Sequence, residues 1–148
     1  MTIKQWLLDE ELVVHDDINS DETNFNFKFK QGDTNMNVAF YKKSKDSLAV
    51  GGKLLFEPQE QSMIRYTSTK KELLYDMEKL FIQMNLDYLL KSNVKNGEFT
   101  IEDIILQKTI FFDGLSKDKF FDVISLIYNC FKILVSKLML LGSLQQLR

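Results

Sequence analysis

The stretch that most constrains the fold is long and almost wholly apolar, and it spans residues 116–141 near the carboxyl terminus. Its polar side chains recur at spacings of three and four, as on one face of an α-helix, and they are Asp118, Asp122, Ser125, Asn129, Lys132 and Ser136. Such a helix extends about 39 Å at 1.5 Å per residue. Apolar side chains occupy roughly 200° of its circumference, whereas a helix on one small sheet buries a stripe of little over 100°. The stretch therefore predicts a helix with more apolar surface than one sheet covers.

The loop "FDGLS" before this helix reads as a structural joint. Asp113 suits a turn, Ser116 suits a helix N-cap, and Asp118 in the first turn is favoured by the helix dipole. A calcium-binding loop starting at Asp113 would place Leu115 at its third position and Ile124 at its twelfth, and neither side chain supplies an oxygen ligand. The spacing therefore argues against a metal site here.

The first half of the chain predicts a helix followed by three strands. Residues 2–15 read as a short amphipathic helix. The segments "NFNFKFK" and "NMNVAFYKK" alternate apolar and polar residues, which predicts two half-buried strands. A third strand runs from Leu48 to Phe56, and Gly51-Gly52 predicts a bulge or bend within it. The short links between the strands predict an antiparallel meander.

The second half of the chain predicts two more strands between helices. Thr69 and Glu72 have the spacing of a capping box, which predicts a helix that continues to about Met84. Residues 59–66, before it, are ambiguous and allow a helical turn. A fourth strand follows the helix and ends at a hairpin tip, Asn96-Gly97.

The fifth strand is predicted from Glu98 to Phe112, longer than its hairpin partner, so we expect its far half to pair elsewhere. Its alternation slips near Glu102-Asp103, where we expect a bend. The predicted fold is α+β, with a five-stranded, mainly antiparallel sheet and three helices in the order αβββαββα. We expect residues 1–148 to form a single domain.

The titratable side chains do not suggest an active site. Glu11 and His15 would share one face of a helix, but His15 is the only histidine and a zinc-protease pattern needs a second. Cys130 lies mid-helix and is expected to be a buried, inert thiol. We therefore expect no enzyme, no metal and no cofactor. An enzyme built from scattered carboxylates is the least favoured alternative.

Composition narrows the classes of partner. The net charge is −2 and the isoelectric point is near 5.5, which argues against nucleic acid because phosphates require a basic surface. A single cysteine excludes an internal disulfide, and the acidic residues near the amino terminus do not fit a signal peptide. We therefore expect a cytoplasmic protein.

The excess apolar surface of the last helix predicts a protein partner. Residues flanking its polar stripe are the candidate interface: Phe121, Leu126, Ile133 and Leu140. The first candidate partner is a second copy, since an isologous contact lets one apolar patch cover its own copy, and the second is a client protein or peptide. The alternative is a membrane-associated protein that uses this helix, which the ordered polar stripe disfavours.

Two segments carry a resemblance to a known family. They are "QKTIFFDGLSKDKFFDVISLIYN" and "KKELLYDMEKLFIQMN", and with the element order they resemble an archaeal family of uncharacterised small proteins with the type III secretion chaperone-like fold. That fold group also includes YbjN-like proteins and class I secretion chaperones. The resemblance implies a homodimer that binds extended client segments across apolar patches, and it implies no catalytic residue. The long apolar last helix is a departure from the secretion chaperones.

Overall fold

The computed structural model describes residues 2–17, 21–66 and 70–146, and they form an α+β fold with an open antiparallel sheet. The described helices are α1 (Thr2–Asp9), α2 (Pro58–Tyr66), α3 (Lys70–Gln83) and α4 (Lys117–Gln146). The strands are β1 (His15–Asp16), β2 (Thr23–Gln31), β3 (Thr34–Tyr41), β4 (Ser47–Leu55), β5 (Asp87–Lys95) and β6 (Glu98–Phe111). They lie in the order β1-β2-β3-β4-β6-β5, and a short 3-10 turn, Phe112–Gly114, precedes α4.

The predicted α+β class is confirmed, but the predicted counts of five strands and three helices are wrong. The described residues form six strands and four helices, and the additions are β1 and α2. The predicted helix over 2–15 ends at Asp9, because Glu11 has a φ of 59° that a right-handed helix does not continue. The chain then pairs His15 with Lys28 as β1. Two residues are too few to show alternation, so this strand left no pattern in the sequence.

Helix α2 begins with a capping arrangement that the sequence contained. Pro58 is its first residue, a position where the missing N–H costs nothing. The backbone N–H of Glu57 donates to Oε1 of Glu60 at 2.9 Å, the reciprocal half of a capping box. Residues 59–66, for which the sequence allows a helical turn, lie in this helix. The cap was a better signal of a helix here than the periodicity.

By the density of internal contacts the chain divides into two compact units. Unit 1 comprises Met1–Lys53 with Gln107–Tyr128, and unit 2 comprises Leu54–Leu106 with Asn129–Arg148. The elements β4, β6 and α4 contribute residues to both units. The single domain over residues 1–148 stays a prediction.

In unit 1 the alternation of β2 and β3 is confirmed. Phe27 pairs with Val38 and Phe29 pairs with Met36, and all four side chains are buried. The predicted bulge at Gly51-Gly52 is wrong on the side of β3, because β3 pairs with β4 without a register shift through both glycines, and the alternative of a bend stays a prediction. The irregularity lies in β2 instead, between Thr23 and Phe25.

In unit 2 the predicted hairpin tip is confirmed. Asn96 and Gly97 have φ values of 55° and 77°, the pair of positive angles that a two-residue turn of type I′ requires. The core of this unit includes Leu73, Met77 and Phe81 from α3. Thr69, the first residue of the predicted capping box, lies outside the described residues.

The long strand β6 pairs on both sides, as predicted. Its far end lies beside β4, where the N–H of Phe112 donates to the carbonyl of Asp46 at 2.8 Å. Asp103 and its neighbour Ile104 are both buried, and the bend expected near Glu102-Asp103 stays a prediction.

Gly32, Gly97 and Gly114 form a graded test of backbone and packing constraints. Gly32 has a positive φ of 59°, and an added Cβ there would lie 3.0 Å from the Tyr128 hydroxyl. Gly97 also has a positive φ, of 77°, but an added Cβ would meet open space. At Gly114 an added Cβ would also meet open space, and no positive φ strains the substitution. Gly32→Ala should lower the free energy of unfolding by about 2 kcal/mol, Gly97→Ala by about 1 kcal/mol, and Gly114→Ala by under about 0.5 kcal/mol. Urea unfolding of the three variants measures the order, and an equal loss in all three would contradict it.

Candidate partner-binding surface

Helix α4 starts at the predicted N-cap. The backbone N–H of Lys119 donates to Oγ of Ser116 at 3.1 Å, and the N–H of Phe120 donates to the Ser116 carbonyl at 3.0 Å. The first bond satisfies one of the donors that the first turn of a helix leaves without partners, and the second is the first regular bond of the helix. The cap therefore sets where the helix begins.

The two faces of α4 separate as the polar stripe predicted. All six residues of the stripe are exposed: Asp118, Asp122, Ser125, Asn129, Lys132 and Ser136. The opposite side is buried and includes Phe120, Val123, Ile124, Ile127, Cys130, Phe131, Leu134 and Leu138. By length and composition alone, Lys117–Leu140 could also cross a membrane, and 39% of its most apolar window is buried within the protein.

The four predicted interface residues divide between two environments. Phe121 and Leu126 belong to unit 1 and are half-buried, and the Phe121 ring packs edge-on against Phe120 at 5.3 Å between centroids. Ile133 and Leu140 belong to unit 2 and remain 41% and 62% exposed. Together these two line a shallow hollow of about 360 Å³ with Lys132, Ser136 and Lys137. We call this hollow the α4 surface, and its role as an interface stays a prediction.

The sequence reading missed other exposed apolar side chains of unit 2. Met139, next to Leu140, is 69% exposed. On α3, Tyr75 and Ile82 are 65% and 67% exposed and seven residues apart, so they lie on one side of that helix. Their spacing could have identified this face, since the buried residues of α3 follow a separate stripe. Unit 2 thus exposes apolar side chains on more than one element.

The titratable groups do not form a metal site within the described parts of the chain. No three His, Cys, Asp or Glu side chains there are placed to hold a metal ion. The expectation that Glu11 and His15 share a helical face is wrong, because the helix ends before both. Asp16 pairs with Lys4 at 3.0 Å, and Asp17 pairs with Lys28 at 3.1 Å, so both carboxylates have structural partners.

Cys130 is fully buried on the inner face of α4, as predicted. Desolvation raises the pKa of its thiol from 9.0 to about 11. A nucleophilic cysteine needs the opposite shift, because the thiolate is the reactive form. This cysteine therefore contributes to packing.

The buried thiol should react slowly with a disulfide reagent at pH 8. A pKa of about 11 leaves about a hundred-fold less thiolate than the ordinary value of 9.0, and burial blocks access as well. The native protein should therefore react at least about a hundred-fold more slowly than the same chain in urea. Comparable rates would contradict the burial of Cys130.

Because the folded thiol keeps its proton at a pH where the unfolded thiol has lost it, folding stability should fall as the pH rises from 9 towards 11.

Comparison with solved structures identifies the fold. A crystal structure of an uncharacterized protein from Methanothermobacter thermautotrophicus is similar with a TM-score of 0.80 and 19% sequence identity, over 93% of this chain and 94% of that one. The structure of YbjN from E. coli, for which a role in transcription regulation has been suggested, is similar with a TM-score of 0.51 and 9% identity, over 97% of this chain and 91% of YbjN. At these identities the likeness establishes the fold alone, and it confirms the predicted YbjN-like fold.

Sequence comparison gives the family. None of the curated proteins matches this chain. A family model of uncharacterized conserved proteins does match, over residues 1–138, which is most of the sequence. The predicted archaeal character of the family stays a prediction. The chain belongs to this family of uncharacterized conserved proteins, DUF2299.

Proposed function

We propose that this protein is a non-enzymatic, cytoplasmic protein-binding module that acts as a homodimer and binds through the α4 surface. The observation that carries the proposal is the exposure of Ile133, Met139 and Leu140 on a helix whose other apolar residues, as far as Leu138, are buried or half-buried. Covering a large apolar side chain contributes about 2 kcal/mol, so these three favour association by several kcal/mol before the costs of ordering.

A chaperone-like role fits the same surface. The predicted type III secretion chaperone-like character would make the α4 surface available to an apolar segment of a client. Lys132 and Lys137 at its rim favour an occupant with acidic residues beside its apolar ones. A second copy is the first candidate occupant, because a self-complementary contact needs no other protein.

We do not extend the suggested role of YbjN in transcription to DNA binding by this chain. Its net charge is −2, and a protein that holds the phosphate backbone needs a basic surface. The polar face of β2 carries Lys28 and Lys30, but Lys28 pairs with Asp17 at 3.1 Å and Asn26 donates to the same Asp17 carboxylate at 3.5 Å, so this face holds an acidic group beside its lysines. Contact with protein is the interpretation that the charges support.

Ile133→Asp tests the homodimer. A carboxylate at this 41% exposed position costs little in a monomer but places a desolvated charge within an apolar seam. We expect light scattering to give the wild type twice the 17.4 kDa mass of one chain. The variant should have the mass of one chain and an unchanged circular dichroism spectrum, as a folded monomer does. The dimer should weaken by at least about a hundred-fold, since a buried unpaired charge costs several kcal/mol.

Ser125→Asp is the matched control, because it adds the same charge to an exposed position of the polar stripe that lies about two helical turns before Ile133 and does not line the hollow. This variant should remain dimeric. A wild-type mass near 17.4 kDa at high concentration would eliminate the dimer. An unfolded Ile133→Asp variant would show instead that Ile133 belongs to the monomer core.

Membrane association is the second candidate, favoured by the length and composition of Lys117–Leu140. Sedimentation with vesicles of mixed neutral and anionic lipid tests it. Because the exposed side of α4 carries the polar stripe, we expect the protein to stay in the supernatant. Co-sedimentation that Met139→Asp abolishes would support the membrane instead, since Met139 is the most exposed apolar side chain described on α4.

A further inference from the structure

The two edges of the sheet differ in what they offer a partner. One edge is β1, which has only two residues. The other is β5, with nine residues, and no strand of the sheet lies on its outer side. Edge strands present unpaired N–H and C=O groups, and proteins usually shorten or cover them. Here one edge is shortened and the other remains long.

The hairpin at Asn96-Gly97 determines which backbone groups of β5 point outward. In a two-residue hairpin the flanking residues, here Lys95 and Glu98, form a hydrogen-bonded pair. Every second residue counted back from Lys95 directs its backbone N–H and C=O to β6. The residues between them direct their N–H and C=O to the free edge. The outward-directed residues are Tyr88, Leu90, Ser92 and Val94. An added antiparallel strand could therefore form up to about eight backbone hydrogen bonds.

The side chains of β5 differ between its two faces. Tyr88 and Val94 share one face and are 36% and 69% exposed, and the Tyr88 ring lies 5.1 Å from Phe81 of α3. The other face carries the exposed charges Asp87 and Lys91, with the 63% exposed Leu89 between them. Lys91 bonds Glu102 of β6 at 3.4 Å yet keeps 66% of its side chain exposed. An added strand with apolar residues on one face and charges on the other would match this pattern.

Pairing of β5 with a second copy fits less well. If two copies formed one continuous sheet through their β5 strands, a twofold axis normal to the sheet would make the two strands antiparallel. Because Lys91 is the central residue of the nine in β5, full overlap of the strands would place Lys91 opposite Lys91 of the copy. Like charges directly opposite each other destabilise a sheet. Shifting the register by two residues separates the lysines but loses about a quarter of the hydrogen bonds. A strand with an acidic residue opposite Lys91 avoids the repulsion between like charges and keeps all the hydrogen bonds.

We propose that the β5 edge binds an extended segment of another protein as an added antiparallel strand, with an acidic residue opposite Lys91 and a basic residue opposite Asp87. Backbone hydrogen bonds hold the segment, Tyr88 and Val94 cover its apolar side chains, and the two charges set its register. This site is separate from the α4 surface. The loss of the homodimer in Ile133→Asp would leave binding at β5 unchanged.

Two synthetic nine-residue peptides of identical composition test the proposal. Both alternate threonine and valine with blocked ends. One carries glutamate at its fifth position and lysine at its ninth, which in antiparallel pairing meet Lys91 and Asp87, and the other exchanges the two charges. We expect the first peptide to bind the full-length protein about ten-fold more tightly by NMR titration, because two opposite-charge pairs become two like-charge pairs in the second.

Amide hydrogen exchange of the complex locates the site. Bound peptide should slow exchange at Leu90, Ser92 and Val94 but leave the amides that already bond β6 unchanged. Ser92→Pro removes one outward N–H without touching the β5–β6 ladder and should abolish binding, whereas Ser92→Thr keeps the donor and should bind normally.

Three results would overturn the proposal. The first is equal affinity for the two peptides, and the second is unchanged hydrogen exchange along β5 at millimolar peptide. The third is that the outward amides of the free protein exchange slowly and that this protection disappears when the protein is diluted. The last result would identify a second copy as the occupant of this edge. If Ser92→Pro fails to fold, the pair of peptides still decides between these results on the wild type.

Discussion

The burial of one side of α4 is the constraint on which the rest of the structure depends. Its first half gives unit 1 four core side chains, Phe120, Val123, Ile124 and Ile127, and its second half gives unit 2 Cys130, Phe131, Leu134 and Leu138. Each large apolar side chain contributes about 2 kcal/mol when removed from water. The cap at Ser116 fixes where this helix starts, and the polar stripe fixes which side faces solvent.

Much of this arrangement was predictable because it repeats. Alternation in β2 and β3, the periodicity of α4 and the Asn96-Gly97 turn each follow from local geometry that several residues report together. The missed elements are those without repetition. Strand β1 is only two residues long, which is too short to show a period. Helix α2 is recognisable from the capping residues at its start rather than from a period. The glycine pair in β4 misled because a residue that permits a bulge does not require one.

The candidate surface shows a second limit of sequence reasoning. Leu126, Ile133 and Leu140 are spaced by seven, so periodicity assigns them nearly the same side of α4. Leu126 is nonetheless half-buried, whereas the other two are exposed. A period gives the direction of a side chain from its helix but not what lies beside the helix at that height. That depends on pairing between residues far apart in sequence, which one sequence does not contain.

The two proposed sites select partners by different physical means, and both belong to unit 2. The α4 surface recognises apolar side chains and so depends on the shape of its occupant, whereas the β5 edge recognises a backbone and reads side chains only through two charges. Unit 1, by contrast, ends its free edge after two residues and pairs Asp16 and Asp17 with lysines. Most of the large apolar side chains found exposed in the described parts of the chain lie in unit 2, on α3, β5 and α4. Unit 1 also exposes Leu8, Val13, Phe111 and Phe112, but the exposed apolar side chains of unit 2 are more numerous, which concentrates the proposed capacity for protein contacts there.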